Sequence, residues 1–188
     1  MFSFKFQGFV LGTREWREKD KLVTVFTQEK GKIPVLAKSV RSIKSKRLGI
    51  LETGNLIKGI TFSSRKDSLS VLGDVKLLFQ PLGARNNLKI MAAIFYLGEI
   101  ASAILPEGEP EARVFQLFSQ TIRQVSKIGS LDKVIKFSIE LPGLVGFGIS
   151  KEAQIAMQKR DLPLALELSK RHISYLTEKK IKSLQLTN

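Results

Sequence analysis

Apolar positions alternate with polar ones along the first 80 residues and fall on helical stripes along the rest, so the chain reads as strands followed by helices. Phe2, Phe4 and Phe6 share one face of a first strand. The apolar parity then passes to Phe9 and Leu11, which predicts a β-bulge at Gly8. Leu22 to Phe26 is a second strand, rich in β-branched and aromatic residues, and Ile33, Val35 and Ala37 mark a third. The polar link Glu29-Lys30-Gly31-Lys32 between them predicts a hairpin. Leu56 to Phe62 and Leu69 to Val75 are the fourth and fifth strands, joined by the polar turn Ser63-Ser64-Arg65-Lys66-Asp67-Ser68. Five short strands with a longer third connection give the count of an OB-type barrel, a count that other small five-stranded barrels share.

Beyond Gln80-Pro81-Leu82-Gly83 the period changes. Ile90 to Leu105 is apolar nearly all round and predicts a central buried helix, too short to span a bilayer and interrupted by Gly98 and Glu99. Pro110 suits the first turn of the next helix, with Glu111 favourably placed for its dipole. Val114, Leu117, Phe118, Thr121, Ile122, Val125 and Ile128 form its apolar stripe. Ser130 is a candidate cap for a helix that turns Val134, Phe137, Ser138 and Leu141 inward, and Pro142-Gly143 ends or kinks it. Ser150 and Asp161 are further candidate caps, and Leu162, Leu166, Ile173 and Leu176 mark the last helix. The expected architecture is α+β, an all-β half followed by an all-α half: a five-stranded OB-fold barrel over residues 1–80, then a compact helical domain over 81–188.

Charge sharpens this picture. The chain carries 31 Lys and Arg against 17 Asp and Glu, a net charge of +14, of which +9 falls in residues 1–80 and +5 in the rest. Such an excess steers and holds polyanions, so the phosphate-facing surface is expected on the first half. The stretch Lys38-Ser39-Val40-Arg41-Ser42-Ile43-Lys44-Ser45-Lys46-Arg47 holds five cations and no acid, in the connection between the third and fourth strands. Lysines and arginines near phosphates release condensed counterions, and serines donate to phosphate oxygens, which gives affinity without sequence choice. A second cluster, Arg14, Arg17, Lys19 and Lys21, is interleaved with Glu15, Glu18 and Asp20 in what reads as the loop after the first strand. Trp16 within it is expected to close one end of the barrel core, base stacking being the other role open to it.

Enzymatic machinery is missing from the sequence. There are no cysteines and one histidine, which leaves no thiolate chemistry, no cysteine-ligated metal and no disulfide, and fits a reducing cytoplasm. The alternating Met1 to Phe6 segment does not read as a secretory signal. No phosphate-cradling glycine loop, dinucleotide fingerprint or nucleophile elbow occurs. Glu99 stands without a second acid nearby and is expected in a structural ion pair, and His172 at a surface or interface. No catalytic residue, metal or cofactor is expected.

The order of residues resembles a known family. Gly8-Phe9-Val10-Leu11-Gly12-Thr13-Arg14, then Glu18-Lys19-Asp20-Lys21-Leu22-Val23-Thr24-Val25-Phe26-Thr27, Gly31-Lys32-Ile33 and Val35-Leu36-Ala37-Lys38-Ser39-Val40-Arg41 look like the barrel of the RecO recombination mediators. The stretch Ser45 to Leu51 is similar to the family's basic loop leading into a small residue and a leucine. Phe95-Tyr96-Leu97-Gly98-Glu99-Ile100, Phe137-Ser138-Ile139-Glu140-Leu141 and Gly146-Phe147-Gly148 resemble segments of its helical half. The resemblance implies a DNA repair mediator that binds single- and double-stranded DNA, anneals complementary strands and assists recombinase loading on DNA coated by single-strand-binding protein. It implies RecR and the acidic C-terminal tail of the single-strand-binding protein as partners. By position, Lys38, Arg41, Lys44, Lys46 and Arg47 would contact DNA, with Arg14 and Lys21 in support, and Lys133 and Lys136 would hold the acidic tail. Many family members carry a four-cysteine zinc module after the glycine–aromatic turn; without cysteine, zinc is not expected here. Pro142 falls where the family has continuous helix, so local geometry is expected to differ there. An RNA-binding accessory protein built on the same barrel is the alternative reading.

Overall fold

The computed structural model describes residues 2–40, 47–65 and 68–184. Five strands, β1 (Phe2–Trp16), β2 (Asp20–Thr27), β3 (Gly31–Ala37), β4 (Leu56–Ser63) and β5 (Ser70–Phe79), close into a barrel in the order β1-β2-β3-β5-β4. β1 is long enough to serve two neighbours. Its first half pairs antiparallel with β4 from Phe2↔Ser63 to Phe9↔Leu56, and its second half with β2 from Gly8↔Thr27 to Trp16↔Asp20. A short parallel seam of β3 on β5, Val35↔Ser70 and Leu36↔Val71, completes the circuit. The interior is filled by Phe6, Val10, Val23, Val25, Val35, Ala37, Ile57 and Leu72. This alternation of inward apolar residues is what fixes strand register.

The register irregularity lies elsewhere than the sequence predicts. Phe6 and Val10 both point into the barrel, so parity is unbroken through Gly8, and the shift against β2 falls between Val10 and Gly12. Phe9 and Leu11 are apolar because β1 is buried on both faces there. Gly8 is required for a different reason: a Cβ would lie 2.6 Å from the Phe26 carbonyl oxygen and 2.7 Å from Val25 Cγ1. A short helix that the alternation pattern does not reveal, α1 (Arg47–Ile50), sits between β3 and β4.

Five further helices follow a 3-10 turn at Leu82–Ala84: α2 (Leu88–Ile104), α3 (Ala112–Ile128), α4 (Leu131–Leu144), α5 (Lys151–Gln158) and α6 (Leu162–Thr177). Asn87 caps α2, accepting from the N–H groups of Lys89 at 3.0 Å and Ile90 at 3.2 Å, so the helix starts ahead of Ile90. α2 is not buried all round, since Leu88, Met91 and Phe95 are exposed. α3 begins after Pro110, with Glu111 as its N-cap residue and no side-chain capping bond. Ile128, the last position of its predicted stripe, is exposed. Ser150 and Asp161 cap as expected, accepting from Ala153 N at 3.2 Å and Leu164 N at 3.1 Å, whereas Ser130 occupies the cap of α4 without a side-chain bond. Pro142 is accommodated inside α4, which runs two residues past it before Val145. A proline that near the C-terminus leaves only the last turn short of a donor.

The chain divides into two compact units: Met1–Gln80 with Pro106–Pro110, and Pro81–Leu105 with Glu111–Asn188. The α2–α3 connection thus departs from the 81–188 grouping expected from sequence. Gly108 donates its N–H to the Lys32 carbonyl at 2.9 Å, and Gly31, at φ +61°, has its Cα side against Glu109, where a Cβ would meet the carbonyl oxygen at 1.9 Å. Only glycine meets both demands.

In the helical unit Phe118 and Phe137 meet edge to face with centroids 5.6 Å apart. Ser138 Oγ and Ser169 Oγ lie 2.9 Å apart and join α4 to α6. Tyr96 is fully buried near them. Burial pushes its phenol up to about 12. Lys170 Nζ sits 5.6 Å from the Tyr96 ring centre and donates to the Leu184 carbonyl. Burial pulls its ammonium below the ordinary lysine value, opposed by Glu167 and Glu99. Among the described residues Glu99 makes no ion pair. It accepts the N–H groups of Lys182 at 2.8 Å and Ser183 at 2.9 Å, together with the Ser183 hydroxyl, so backbone donors from the chain after α6 satisfy it. His172 Nε2 lies 3.2 Å from the Gly148 carbonyl.

Candidate nucleic-acid interface

The basic stretch between β3 and β4 is anchored at both ends in the barrel. Val40 on one side and Leu51 on the other are buried in the barrel core, with Ile50 packed against it. Asn55 Nδ2 donates to the carbonyls of Gly49 at 2.9 Å and Ile50 at 3.0 Å, which satisfies the end of α1. Ser39 takes φ +56°, and its N–H donates to Asp20 Oδ1 at 2.8 Å. Arg41, Lys44 and Lys46 lie outside the described residues. Lys38 is exposed at the first turn of the connection.

Arg47 is tied to the fold. Its Nη2 donates to the Gly73 carbonyl at 2.9 Å and lies 4.0 Å from Asp74 Oδ1. The arginine therefore clamps the start of α1 to β5.

Arg14 and Trp16 belong to β1 itself and Lys21 to β2, so the second basic cluster is a hairpin tip with only Arg17–Lys19 as its turn. Trp16 does not close the barrel. It is 37% exposed, with Arg14 Cζ 5.9 Å from its ring centre. A residue that pairs with Asp20 at the end of an overlong hairpin projects beyond the core it was expected to cover. Pairing then brings the pieces together: Lys21 faces Glu15 on one side and Ala37 on the other, one residue before Lys38. The Asp20–Ser39 bond ties the hairpin tip to the basic connection. Lys38, Lys21 and Arg14 thus share one end of the barrel, a gathering that periodicity alone does not reveal.

Lys133 and Lys136 lie on α4 in the other unit. Lys136 Nζ is 3.6 Å from Glu140 Oε1, an exposed pair of small energetic weight. Among the described residues no three His, Cys, Asp or Glu side chains are grouped so that they could hold a metal ion, and no helix is long and apolar enough to cross a membrane.

A closed five-stranded OB-type barrel with a basic end, followed by a helical domain, defines the class. Profiles of known families then place the chain within it: residues 1–80 match "Recombination protein O N terminal" and residues 85–183 match "Recombination protein O C terminal". The chain belongs to the RecO family. It is 30% identical over 123 residues to a DNA repair protein RecO of Prosthecochloris aestuarii, covering 65% of this chain and 47% of that one. It is 25% identical over 165 residues to a DNA repair protein RecO of Chlorobium phaeobacteroides, covering 87% and 63%. The chain therefore spans between about half and two thirds of the length of these relatives. The crystal structure of the S. pombe Stn1–Ten1 complex superposes with a TM-score of 0.33 at 13% identity, over 52% of this chain and 76% of that one, and bears on nothing below.

Proposed function

We propose that this chain is a non-enzymatic DNA repair and recombination mediator that binds single- and double-stranded DNA without sequence preference and anneals complementary strands. In this reading it assists recombinase loading onto DNA coated by single-strand-binding protein, in partnership with RecR and the acidic tail of that coating protein. It would work in the cytoplasm, associated with the nucleoid. The barrel of residues 1–80 handles DNA, and the helical part of residues 81–188 presents Lys133 and Lys136 to the acidic tail. DNA contacts come from Lys38, Arg41, Lys44, Lys46 and Arg47, with Arg14 and Lys21 beside them.

One observation supports this most directly: a ten-residue stretch with five cations and no acid, pinned at Val40 and Leu51 to a closed barrel. Pinning both ends lowers the entropy lost when the cations meet phosphates. Annealing needs no bond chemistry. Cations along the barrel end neutralise the repulsion between two strands and hold them near enough to pair.

The test is a salt titration of DNA binding together with strand annealing, with and without single-strand-binding protein. The intact chain should show a slope of about three to five phosphate contacts. Changing Lys38, Lys44 and Lys46 together to alanine should lower that slope by about two to three and slow annealing, with the melting temperature held. An unchanged slope places DNA on another surface. Competition between single-stranded DNA and matched RNA at fixed salt separates this reading from an RNA-binding one.

A further inference from the structure

The barrel contains a cavity that the basic connection does not explain. About 750 Å³ in volume, it opens between the start of β1, the start of β3 and the turn into β5. The Lys32 carbonyl accepts from Gly108 across the free edge of β3, so alternate residues of β3 turn their backbone groups toward that edge. Pro34, two residues on, has no N–H to offer there. Pairing of β3 with β5 begins at Val35↔Ser70, the first residue of β5, and ahead of Pro34 the β3 edge is bridged instead at Lys32↔Glu107. Ile33, Pro34 and Leu69 line the opening.

We propose that this cavity receives an unstacked base of a single DNA strand whose phosphates run along β3 toward Lys38. The inference rests on the DNA-handling reading above and adds a site to it. At the mouth Phe2 is 55% exposed and Leu69 39% exposed, while Phe4 lies behind them, its ring centre 6.2 Å from that of Phe6. Phe2 gives a flat face for a base and Leu69 apolar contact beside it, the sequence-tolerant part of single-strand recognition. Hydroxyls of Ser3, Ser63 and Ser70 also line the cavity and offer both donors and acceptors to a base edge. Lys30 at the rim supplies a cation for the adjoining phosphate, and Glu107 is the one acid among the described lining residues. From Pro34 to Lys38 the strand advances about 13 Å, so one short oligonucleotide spans both places. A peptide adding as a strand fits worse, because the missing donor at Pro34 breaks its ladder.

The test compares a thymidine oligonucleotide with an abasic one of equal length, bound by the whole chain and by the double variant Phe2→Ala, Leu69→Ala. Both side chains are exposed, so the fold should survive, and circular dichroism melting checks this. The intact chain should prefer the base-bearing strand, and the variant should lose about tenfold of that preference while its salt slope stays as it was. A variant that keeps the full preference overturns the base site; the cavity then serves another ligand, such as a peptide. The DNA reading would be untouched by that result, since it depends on the slope and on the lysine variant. An intact chain that binds neither strand sinks both.

Discussion

The barrel and the helical unit use their polar groups in opposite ways. In the barrel, Asp20 and Asn55 bond to backbone groups of the β3–β4 connection and Arg47 ties that connection to β5, so each such bond shapes the surface around the basic stretch. In the helical unit, Ser138 and Ser169 lock α4 to α6, and Glu99 holds α2 to the chain after α6. The difference teaches where charge can be spent. A small closed sheet fills its interior with a few alternating apolar residues, which leaves its connections open to carry cations. Helices must be matched face to face, and polar pairs there specify the match.

The largest effect is expected inside the helical unit. Phe118→Ala removes one ring of the Phe118–Phe137 pair from a fully buried position and should cost about 3–5 kcal/mol in denaturant unfolding. Its slope of DNA affinity against salt should stay that of the intact chain wherever the variant is folded. A changed slope would erase the division between the two regions.

Next comes a pH effect. The folded phenol of Tyr96, at about 12, lies above its unfolded value near 10, so the folded state holds the proton more tightly. The stabilisation is complete below pH 10 and is lost as pH rises from 10 to 12, by about 3 kcal/mol. Among the described residues none bonds the Tyr96 hydroxyl in good geometry, though Ser138 and Ser169 lie close to it, and those two also reach the carbonyls of Ile135 and Leu166. Tyr96→Phe should therefore cost under about 1 kcal/mol at neutral pH and flatten the alkaline decline. Stability curves of the two proteins from pH 8 to 12 measure this.

In the barrel, Arg47→Ala should cost about 1 kcal/mol by releasing the Gly73 carbonyl, unlike the lysines of the same stretch, whose replacement should leave stability alone. Equal stability of the Arg47 and lysine variants would show that the clamp has no weight. The smallest change, Asp161→Ala at the start of α6, should cost about 1 kcal/mol or a little less and leave annealing unaffected.

Much of the fold was legible because alternation and helical stripes report burial directly. Phe6, Val35 and Ala37 point into the barrel as their alternation predicts, and Asp161 and Ser150 cap where their side chains suit. Phe9 and Leu11 misled because a strand buried on both faces shows no alternation to read. Trp16 misled because hydrophobicity cannot say how far a hairpin outruns its core. The basic stretch was legible as charge; that Arg47 clamps β5 was not, because Gly73 lies 26 residues away in sequence.

The sequence by itself determined the class of each half, the excess of cations and the residues that fill the barrel, because periodicity and charge are properties of neighbours along the chain. Tertiary structure decided which segments meet: Asp20 with Ser39, Arg47 with Gly73, Glu99 with the amides of Lys182 and Ser183, and the opening lined by Pro34 and Leu69 beside β5. Those meetings depend on closure of the sheet and packing of the helices, and distances across a closed fold are not written in local spacing.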